Sequence, residues 1–598
     1  MNAIFDALKP TPASYLKAER EISTGKEGSL RHVRVAVLGT FTTNYLKPYL
    51  TVEGARRGLS IDAYFGPFNQ MEQETLDESS ALYQFDPDVV IVASRLEEMT
   101  PDLVNRFLKL SAEEIDALGE RSLERLRALL QAVRQKTAAT VLLFNFAPPS
   151  LLNAGLADAG MVDSQTAVIS RLNGSLARVA GSLSGVFVFD LARVITEVGI
   201  RRAFDAKLWH MARLPFSVDA QIAIGERLAR TIRAAVLPPC KCLAVDLDNT
   251  LWGGVVGEDG LGGIALGDEC PGNAYKDFQR ELLSLRDRGV LLAIASKNNE
   301  DDALAVFDKH PDCLLKREHF AATQIHWGDK AESLLAIAQE LNLGLDSVAF
   351  LDDSPAEREW VRMKMPEVLV LDFPAGPPTF RTIEESGAFD QLVISGEDRE
   401  RTIFYQRESE RSKLQTQSVS LEEFLGDLDI TVSIGQVDND TLPRVAQLVG
   451  KTNQFNLTTR RHTEGAISDM LSRGCIALWM RVKDRFGDYG LVGVALAMPL
   501  TAKRWEIDTF LLSCRMIGRR AEDALLAVLI RQISARGGEV VEGVYIPTAK
   551  NAQVKAFFPA RGFRVCGTET DRWEWDLSQG SYLAPDLLKV RFDDESDD

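Results

Sequence analysis

The chain has 598 residues, 45% hydrophobic and 26% charged, with a formal net charge of −18. That length exceeds what one hydrophobic core fills and points to about three domains. The acidic balance argues against non-specific nucleic-acid binding, which needs excess Lys and Arg to neutralise phosphates, and no apolar run approaches the roughly 20 residues of a membrane span.

The opening MNAIFDALKP lacks the basic and apolar regions of a secretion signal. Cys240, Cys242, Cys270, Cys313, Cys475, Cys514 and Cys566 are odd in number and carry no paired metal-ligand spacing, so reduced thiols in the cytoplasm are expected. In chain order, Val33–Leu38 predicts a first strand, ending in Gly39-Thr40 before a helical stretch. Apolar runs at Val89–Ala93, Thr140–Asn145 and Val186–Asp190, with a helical pattern over Glu113–Lys136, predict an α/β domain across 1–235. Pro238-Pro239 punctuates the chain. Leu243–Asp246 then opens a second α/β domain over 236–380, with strands at Leu291–Ala295, Ser347–Leu351 and Val368–Leu371. A charged stretch over 381–425 reads as a helical connector. A mixed α+β domain over 426–580 follows, with strands at Ile430–Ile434, Ile476–Val482, Leu491–Met498 and Trp505–Leu512 and a helix at Glu522–Ala535. Residues 581–598 end in the acidic run DDESDD, where self-repulsion favours disorder.

Asp246-Leu247-Asp248-Asn249-Thr250 sets two carboxylates just past the end of a buried strand, where open α/β sheets bind ligands. Phosphoryl transfer needs an oxygen nucleophile, a cation for the phosphate oxygens and an acid for the leaving group. Alone, the pair also suits a cation site or a solvated turn. Three later signals supply further parts: Ser296 after the strand LLAIA, Lys330 in HWGDKAESL, and Asp352-Asp353 after SVAFL. Each has a plain alternative, a helix cap for Ser296 and the Asp pair and a surface charge for Lys330. Gaps of 50 residues from Asp246 to Ser296 and 34 from Ser296 to Lys330 leave no room for a large cap domain, so the site should be open.

In this order the residues resemble the haloacid-dehalogenase superfamily over 240–375. The resemblance implies a Rossmannoid α/β fold without a large cap, Asp246 as the residue that accepts phosphate, and Asp248 as acid and base. It implies Mg2+ held by Asp246, the Asp248 backbone carbonyl, Asp353 and, beside it, Asp352, with Ser296 and Lys330 on the phosphate. The longer runs DLDNTLWGGVVGEDG (Asp246–Gly260), FLDDSPAERE (Phe350–Glu359), LGTFTTNYLKPYL (Leu38–Leu50) and LVGKTNQFNLTTRRH (Leu448–His462) resemble the FkbH-like family more closely. That resemblance implies a bifunctional glyceryl transferase/phosphatase that takes 1,3-bisphosphoglycerate, removes phosphate and loads an acyl carrier protein. A plain magnesium-dependent phosphatase on a protein- or carrier-bound ester, or a scaffold that has lost turnover, are the other readings.

LLSCRMIGRRAEDALL places a strand, then Arg515-x-x-Gly518, then a helix whose N-terminal amides suit an anion. With Asn551–Phe563 it resembles the GNAT acyltransferase fold, although Arg520 stands where acyl-CoA-binding relatives prefer Gly or Ala. The resemblance implies substrate or carrier binding by Arg515, Gly518, Arg519 and Asn551; separately, Asn249 and Thr250 of the central motif are candidate substrate-binding residues. The arginines also read as solvated helix-start residues. Cys514, beside cations and a helix N-terminus, is the candidate for covalent acyl transfer, or else a small strand hydrophobe. Asp488 and His462 are candidate bases. Gly39-Thr40, Asn145 and His210 resemble the blocks of SGNH hydrolases, with Thr40 in the nucleophile's place. Lys207 stands where that pattern has Asp, which implies a non-catalytic SGNH/flavodoxin-like domain.

Overall fold

The computed structural model describes residues 2–24, 30–374, 376–377, 381–394, 428–452, 454–485, 487–513, 516–517, 519–548, 551–566, 571–580, 582–585 and 588–592. Most of the expected connector, from 395 to 427, and the end of the acidic tail, from 593, lie outside the described residues. The chain forms two compact units, Met1–Leu237 with His462–Asp469, and Pro238–Arg461 with Met470–Asp598.

The first unit is built on five parallel strands, β1 (Arg31–Gly39), β2 (Leu59–Phe65), β3 (Val89–Ala93), β4 (Thr140–Phe144) and β5 (Val186–Phe189), in the order β2-β1-β3-β4-β5. This is the doubly wound, flavodoxin-like order. The central strands VVIVA and TVLLF are buried at every position, as a sheet covered on both faces requires. Alternate residues feed two cores, Val90 and Val92 one and Val89 and Ile91 the other. The helix Ala112–Lys136 starts at a capping box between Ser111 and Glu114 and ends with Arg134 and Lys136 in its last turn. The segment His462–Asp469 was expected within the third domain but belongs to this unit. Its Thr463 hydroxyl donates to the Ala138 carbonyl at 2.7 Å, and Glu464 accepts from Ser184 at 3.0 Å and the Gly185 amide at 3.1 Å.

The second unit holds two sheets. The first is parallel, with strands β6 (Cys242–Val245), β7 (Leu291–Ser296), β8 (Phe320–Ile325), β9 (Val348–Leu351) and β10 (Leu369–Val370) in the order β10-β9-β6-β7-β8. The order reverses at β6, so its C-terminal end is the switch point where such sheets bind ligands. The other sheet is mixed. Its strands β11 (Thr431–Gln436), β12 (Phe455–Asn456), β13 (Ile476–Asp484), β14 (Gly487–Pro499), β15 (Arg504–Leu512), β16 (Val540–Val544), β17 (Arg564–Val565), β18 (Arg572–Asp576) and β19 (Lys589–Phe592) run β17-β18-β16-β15-β14-β13-β11-β19, with β12 on β15. One hydrophobic core runs from Cys242, Ala244 and Phe350 of the parallel sheet to Val432, Leu478 and Phe510 of the mixed one. The two expected domains therefore share a single core.

β15 pairs in parallel with β16 only from Arg504 to Ile507. Beyond that the strands diverge and the chain fills the opening itself. Leu457 donates to the Phe510 carbonyl at 3.1 Å and accepts from the Ile546 amide at 2.9 Å. Among the described residues no helix is long and apolar enough to cross a membrane.

Candidate active site

Asp246 follows the last residue of β6, and its amide still pairs with the Leu351 carbonyl of β9 at 3.0 Å. The side chain thus leaves the sheet at the switch point, almost buried. Asp352 and Asp353 follow β9 in the same way. One carboxylate oxygen from each of the three lies within 4.8 Å of the others. Lys330, the first residue of the helix Lys330–Glu340, sets its ammonium 3.0 Å from Asp246 Oδ1 and 2.5 Å from Asp352 Oδ2.

One buried ammonium does not balance three carboxylates. Burial, reinforced by the charge of Asp246, pushes the carboxyls of Asp352 and Asp353 above the usual range. Burial works against the charge of Lys330, but Asp246 and Asp352 outweigh it and its pKa is raised. A site of oxygen donors with excess negative charge in low-dielectric surroundings fits a hard divalent cation. Asp246, Asp353 and Asp352 are the residues that would hold it. Asp352 is the most committed, since its Oδ1 also accepts from the Ser354 amide at 2.9 Å.

Asp248 sits in the turn past Asp246, held by three donors. Its Oδ1 accepts from Trp252 Nε1 at 2.8 Å and the Val256 amide at 3.1 Å, and its Oδ2 from Asn298 Nδ2 at 2.8 Å. Burial raises its pKa against those donors, and Asp246 adds to the rise. A carboxyl fixed in orientation and biased toward the proton suits general acid and base work. Trp252 is fully buried and meets Phe307 edge-on, so the clamp on Asp248 is itself packed.

Ser296 ends β7 on the same sheet edge and is nearly buried. Asn249 adopts a left-handed conformation, φ 54°, and its Oδ1 accepts from the Gly254 amide at 2.9 Å. It thereby shapes the loop beyond Asp248. Thr250 is wholly buried, its hydroxyl without a hydrogen-bond partner among the described residues. Between β6 and β7 the chain makes a small flap, closed by a Gly253–Ala265 bridge, then the helix Gly272–Asp287, and no cap domain.

Sequence reasoning missed Asn298 and Arg358. Asn298 stands two residues beyond Ser296, and the Asn-Asn pair after a strand end was the available signal. Arg358 Nη1 donates to the backbone carbonyls of Asp352 at 2.7 Å and Asp353 at 2.8 Å, fixing the loop that presents both acids.

In the mixed sheet, Cys514, Arg515 and Gly518 lie outside the described residues. Arg519 corrects an expectation. It is buried, its guanidinium donates to the Tyr489 hydroxyl, and it lies 4.9 Å over that ring and 3.8 Å from Asp484, so it faces inward rather than toward a carrier. Asn551 corrects another. Fully buried, it donates to the carbonyls of Asn456 and Ile546, both at 2.9 Å, and accepts from the Thr548 amide at 2.8 Å and the Tyr545 hydroxyl at 3.2 Å. Its hydrogen-bonding capacity is spent on holding the segment that fills the β15–β16 opening. Asp488 is exposed near the start of β14, and its Oδ1 accepts from the Gly490 amide at 2.7 Å. His462 belongs to the segment that joins the first unit.

In the first unit, Thr40 accepts from the Arg95 amide at 3.1 Å, and Asn145 donates to Asp190 at 2.7 Å and accepts from the Ala192 amide at 2.9 Å. His210 is exposed. Among the described residues no hydrogen bond joins these three.

A doubly wound sheet with a buried aspartate at its switch point, a lysine bridging two acids and a flap without a cap defines a haloacid-dehalogenase-like phosphoryl-transfer fold. Residues 34–232 match the family described as FkbH, N-terminal domain. The structure resembles the N-terminal part of the protein BF1531 from Bacteroides fragilis, described as containing a phosphatase domain complexed with Mg, at 29% identity over 63% of this chain and 99% of that chain, with a TM-score of 0.55. The chain is thus similar to FkbH proteins over its N-terminal domain. A quarter of the chain resembles a GNAT-family acetyltransferase from Staphylococcus aureus, at 10% identity over 25% of this chain and 99% of that one, with a TM-score of 0.19. The ribosomal-protein-S18-alanine N-acetyltransferase of Escherichia coli matches at 13% identity over 24% and 89%, also with a TM-score of 0.19. No curated protein matches the chain.

Proposed function

We propose that the protein is a magnesium-dependent phosphatase that works within glyceryl transfer from 1,3-bisphosphoglycerate to the phosphopantetheine arm of an acyl carrier protein. The phosphatase part rests on one observation, the convergence of Asp246, Asp352 and Asp353 beside a single buried Lys330. Mg2+ bound there would neutralise the phosphate oxygens as charge moves onto them. Asp246 attacks phosphorus while the bond to the leaving oxygen breaks. Asp248 gives that oxygen its proton. The resulting aspartyl-phosphate is then cleaved by water, whose proton passes to Asp248, and inorganic phosphate departs from Asp246. Lys330 and Ser296 hold the phosphate throughout, and Asn298, Trp252 and the Val256 amide keep Asp248 aimed.

The transferase part rests on the FkbH-like resemblance. The Cys514 thiolate attacks the acyl-phosphate carbonyl of 1,3-bisphosphoglycerate and expels the 1-phosphate. The Asp246 site hydrolyses the remaining ester, and the carrier thiol takes the glyceryl group by thioester exchange, its proton returning to Cys514. Intact-mass measurement after incubation with 1,3-bisphosphoglycerate and magnesium tests both parts. Wild type should carry a glyceryl adduct that a carrier protein removes, C514A should carry none, and D246N should hold the adduct with its phosphate. An adduct that survives C514A contradicts the thioester, and a phosphate-free adduct on D246N contradicts the phosphatase. The second reading is a phosphatase without acyl transfer, acting on a protein- or carrier-bound ester. The uncapped flap favours it, because a bulky substrate needs open access. Rapid phosphate release with no adduct would decide for it.

A further inference from the structure

Two tryptophans flank the loop that delivers Lys330. Trp327 is 70% exposed, an uncommon state for the largest apolar side chain. It is nevertheless fixed. Its Nε1 donates to Asn299 Oδ1 at 3.0 Å, and the loop around it is braced by the Gly328 amide on His326 Nδ1 at 3.0 Å and by Ser333 Oγ at 3.3 Å from His326 Nε2. Asn299 leads back to the reacting groups, because its amide donates to Asn298 Oδ1 at 2.9 Å and Asn298 Nδ2 donates to Asp248 Oδ2 at 2.8 Å. Three hydrogen bonds thus run from an exposed indole to the acid-base carboxyl. On the other side, Trp360 donates to both oxygens of Asp329 at 2.9 Å, and Asp329 accepts from the Ala331 amide at 2.8 Å, starting the helix whose first residue is Lys330.

We propose that Trp327 is a specificity residue whose ring face supports the non-phosphate portion of the substrate, an extended and partly apolar arm such as a pantetheine thioester. The inference rests on the second reading above, in which the Asp246 site acts on a carrier-bound phosphate ester. A phosphate group would be served by Lys330, Ser296 and the cation that Asp246, Asp352 and Asp353 would hold, so an aromatic platform outside them has no work on a small free phosphate. Among the described residues, the chain between β6 and β7 supplies only the small flap closed by the Gly253–Ala265 bridge and no cap domain. Tying the indole N–H down leaves its faces bare while removing the entropy that a mobile Trp would lose on binding. Stacking and burial on one ring face are enough for about a tenfold change in affinity.

The test compares 3-phosphoglycerate with 3-phosphoglyceryl-pantetheine thioester as substrates of the full chain with magnesium. W327A should raise KM for the thioester about tenfold, with kcat within about twofold. The same variant should shift kcat/KM for 3-phosphoglycerate by less than about twofold. W327F, which keeps a ring and loses the N–H, should keep most of the affinity for the thioester. Equal loss of kcat on both substrates in W327A and W327F would instead make the indole a brace for Asn299 and Asp248 and overturn the platform. Unchanged constants in W327A would overturn it as well. Pantetheine binding to D246N, followed by tryptophan fluorescence, separates this inference from the phosphatase reading. A quench seen with Trp327 and lost in W327F supports the platform even when neither ester turns over, and no quench in either contradicts it.

Discussion

Both parallel sheets place a first strand at the reversal of strand order, yet the polar groups at the two strand ends meet different fates. At the end of β1, Thr40 accepts from the Arg95 amide, and Arg95 is already matched by Glu97 at 2.7 Å and Glu98 at 3.4 Å while stacking over Trp209. Charge there is closed upon itself. At the end of β6, three carboxylates face one ammonium, and the remaining charge is left for a cation and a phosphate. The same backbone geometry thus gives a structural corner in one case and a reaction centre in the other. What separates them is the charge balance, not the fold.

The comparison is sharpest when the two cations are removed. K330M should lower phosphatase turnover at least about a hundredfold, because a buried counter-charge to the phosphate is lost. It should also destabilise the second unit by about 3–5 kcal/mol in urea unfolding, partly recovered by magnesium, since buried carboxylates are left unpaired. R95M should destabilise the first unit and leave turnover nearly untouched. Equal effects of the two changes on turnover would break the distinction. A smaller loss is expected for N298A, about 10–100-fold in kcat, from removing one of the three donors that aim Asp248.

Glu98 gives a test by pH. Burial lifts its carboxyl to about 7, opposed by Arg95 and aided by Glu97. The folded state therefore binds this proton more tightly than the unfolded chain, so stability should fall as pH rises from the ordinary Glu range to about 7. E98Q should flatten that slope for the first unit by about 1–3 kcal/mol, with the group's partial exposure reducing the figure. An unchanged slope would show that Glu98 is not the group responsible. The smallest effect belongs to T40A and H210A, which should leave phosphatase turnover within about twofold.

The central strands and one edge of each parallel sheet, β5 and β10, were legible in the sequence, and the opposite edges, β2 and β8, were not. VVIVA, TVLLF and LLAIAS read as strands because both of their faces are covered and nearly every position is apolar. β2 (LSIDAYF) and β8 (FAATQI) lie at sheet edges, where Ser60, Asp62 and Thr323 meet solvent and, with the half-buried Gln324, break the apolar run. In the site, Asp246, Asp248, Lys330, Asp352 and Asp353 were legible because each follows a strand or starts a helix, so chain order fixed their placement. Asn298 was not, since its role is set by reaching across to Asp248 from 50 residues away. Arg519 and Asn551 misled for the same reason. Motif spacing placed them at a binding loop, while Tyr489 and the Asn456 carbonyl, distant in sequence, turned them inward.

The central claim is that Asp246 carries the phosphate. Acid-quenching the full chain after brief exposure to magnesium and a radiolabelled phosphate ester, then mapping the labelled peptide, tests it most directly. A label released by hydroxylamine and confined to the peptide containing Asp246, absent in D246N, is the predicted result. A label elsewhere, or one that persists in D246N, would contradict it.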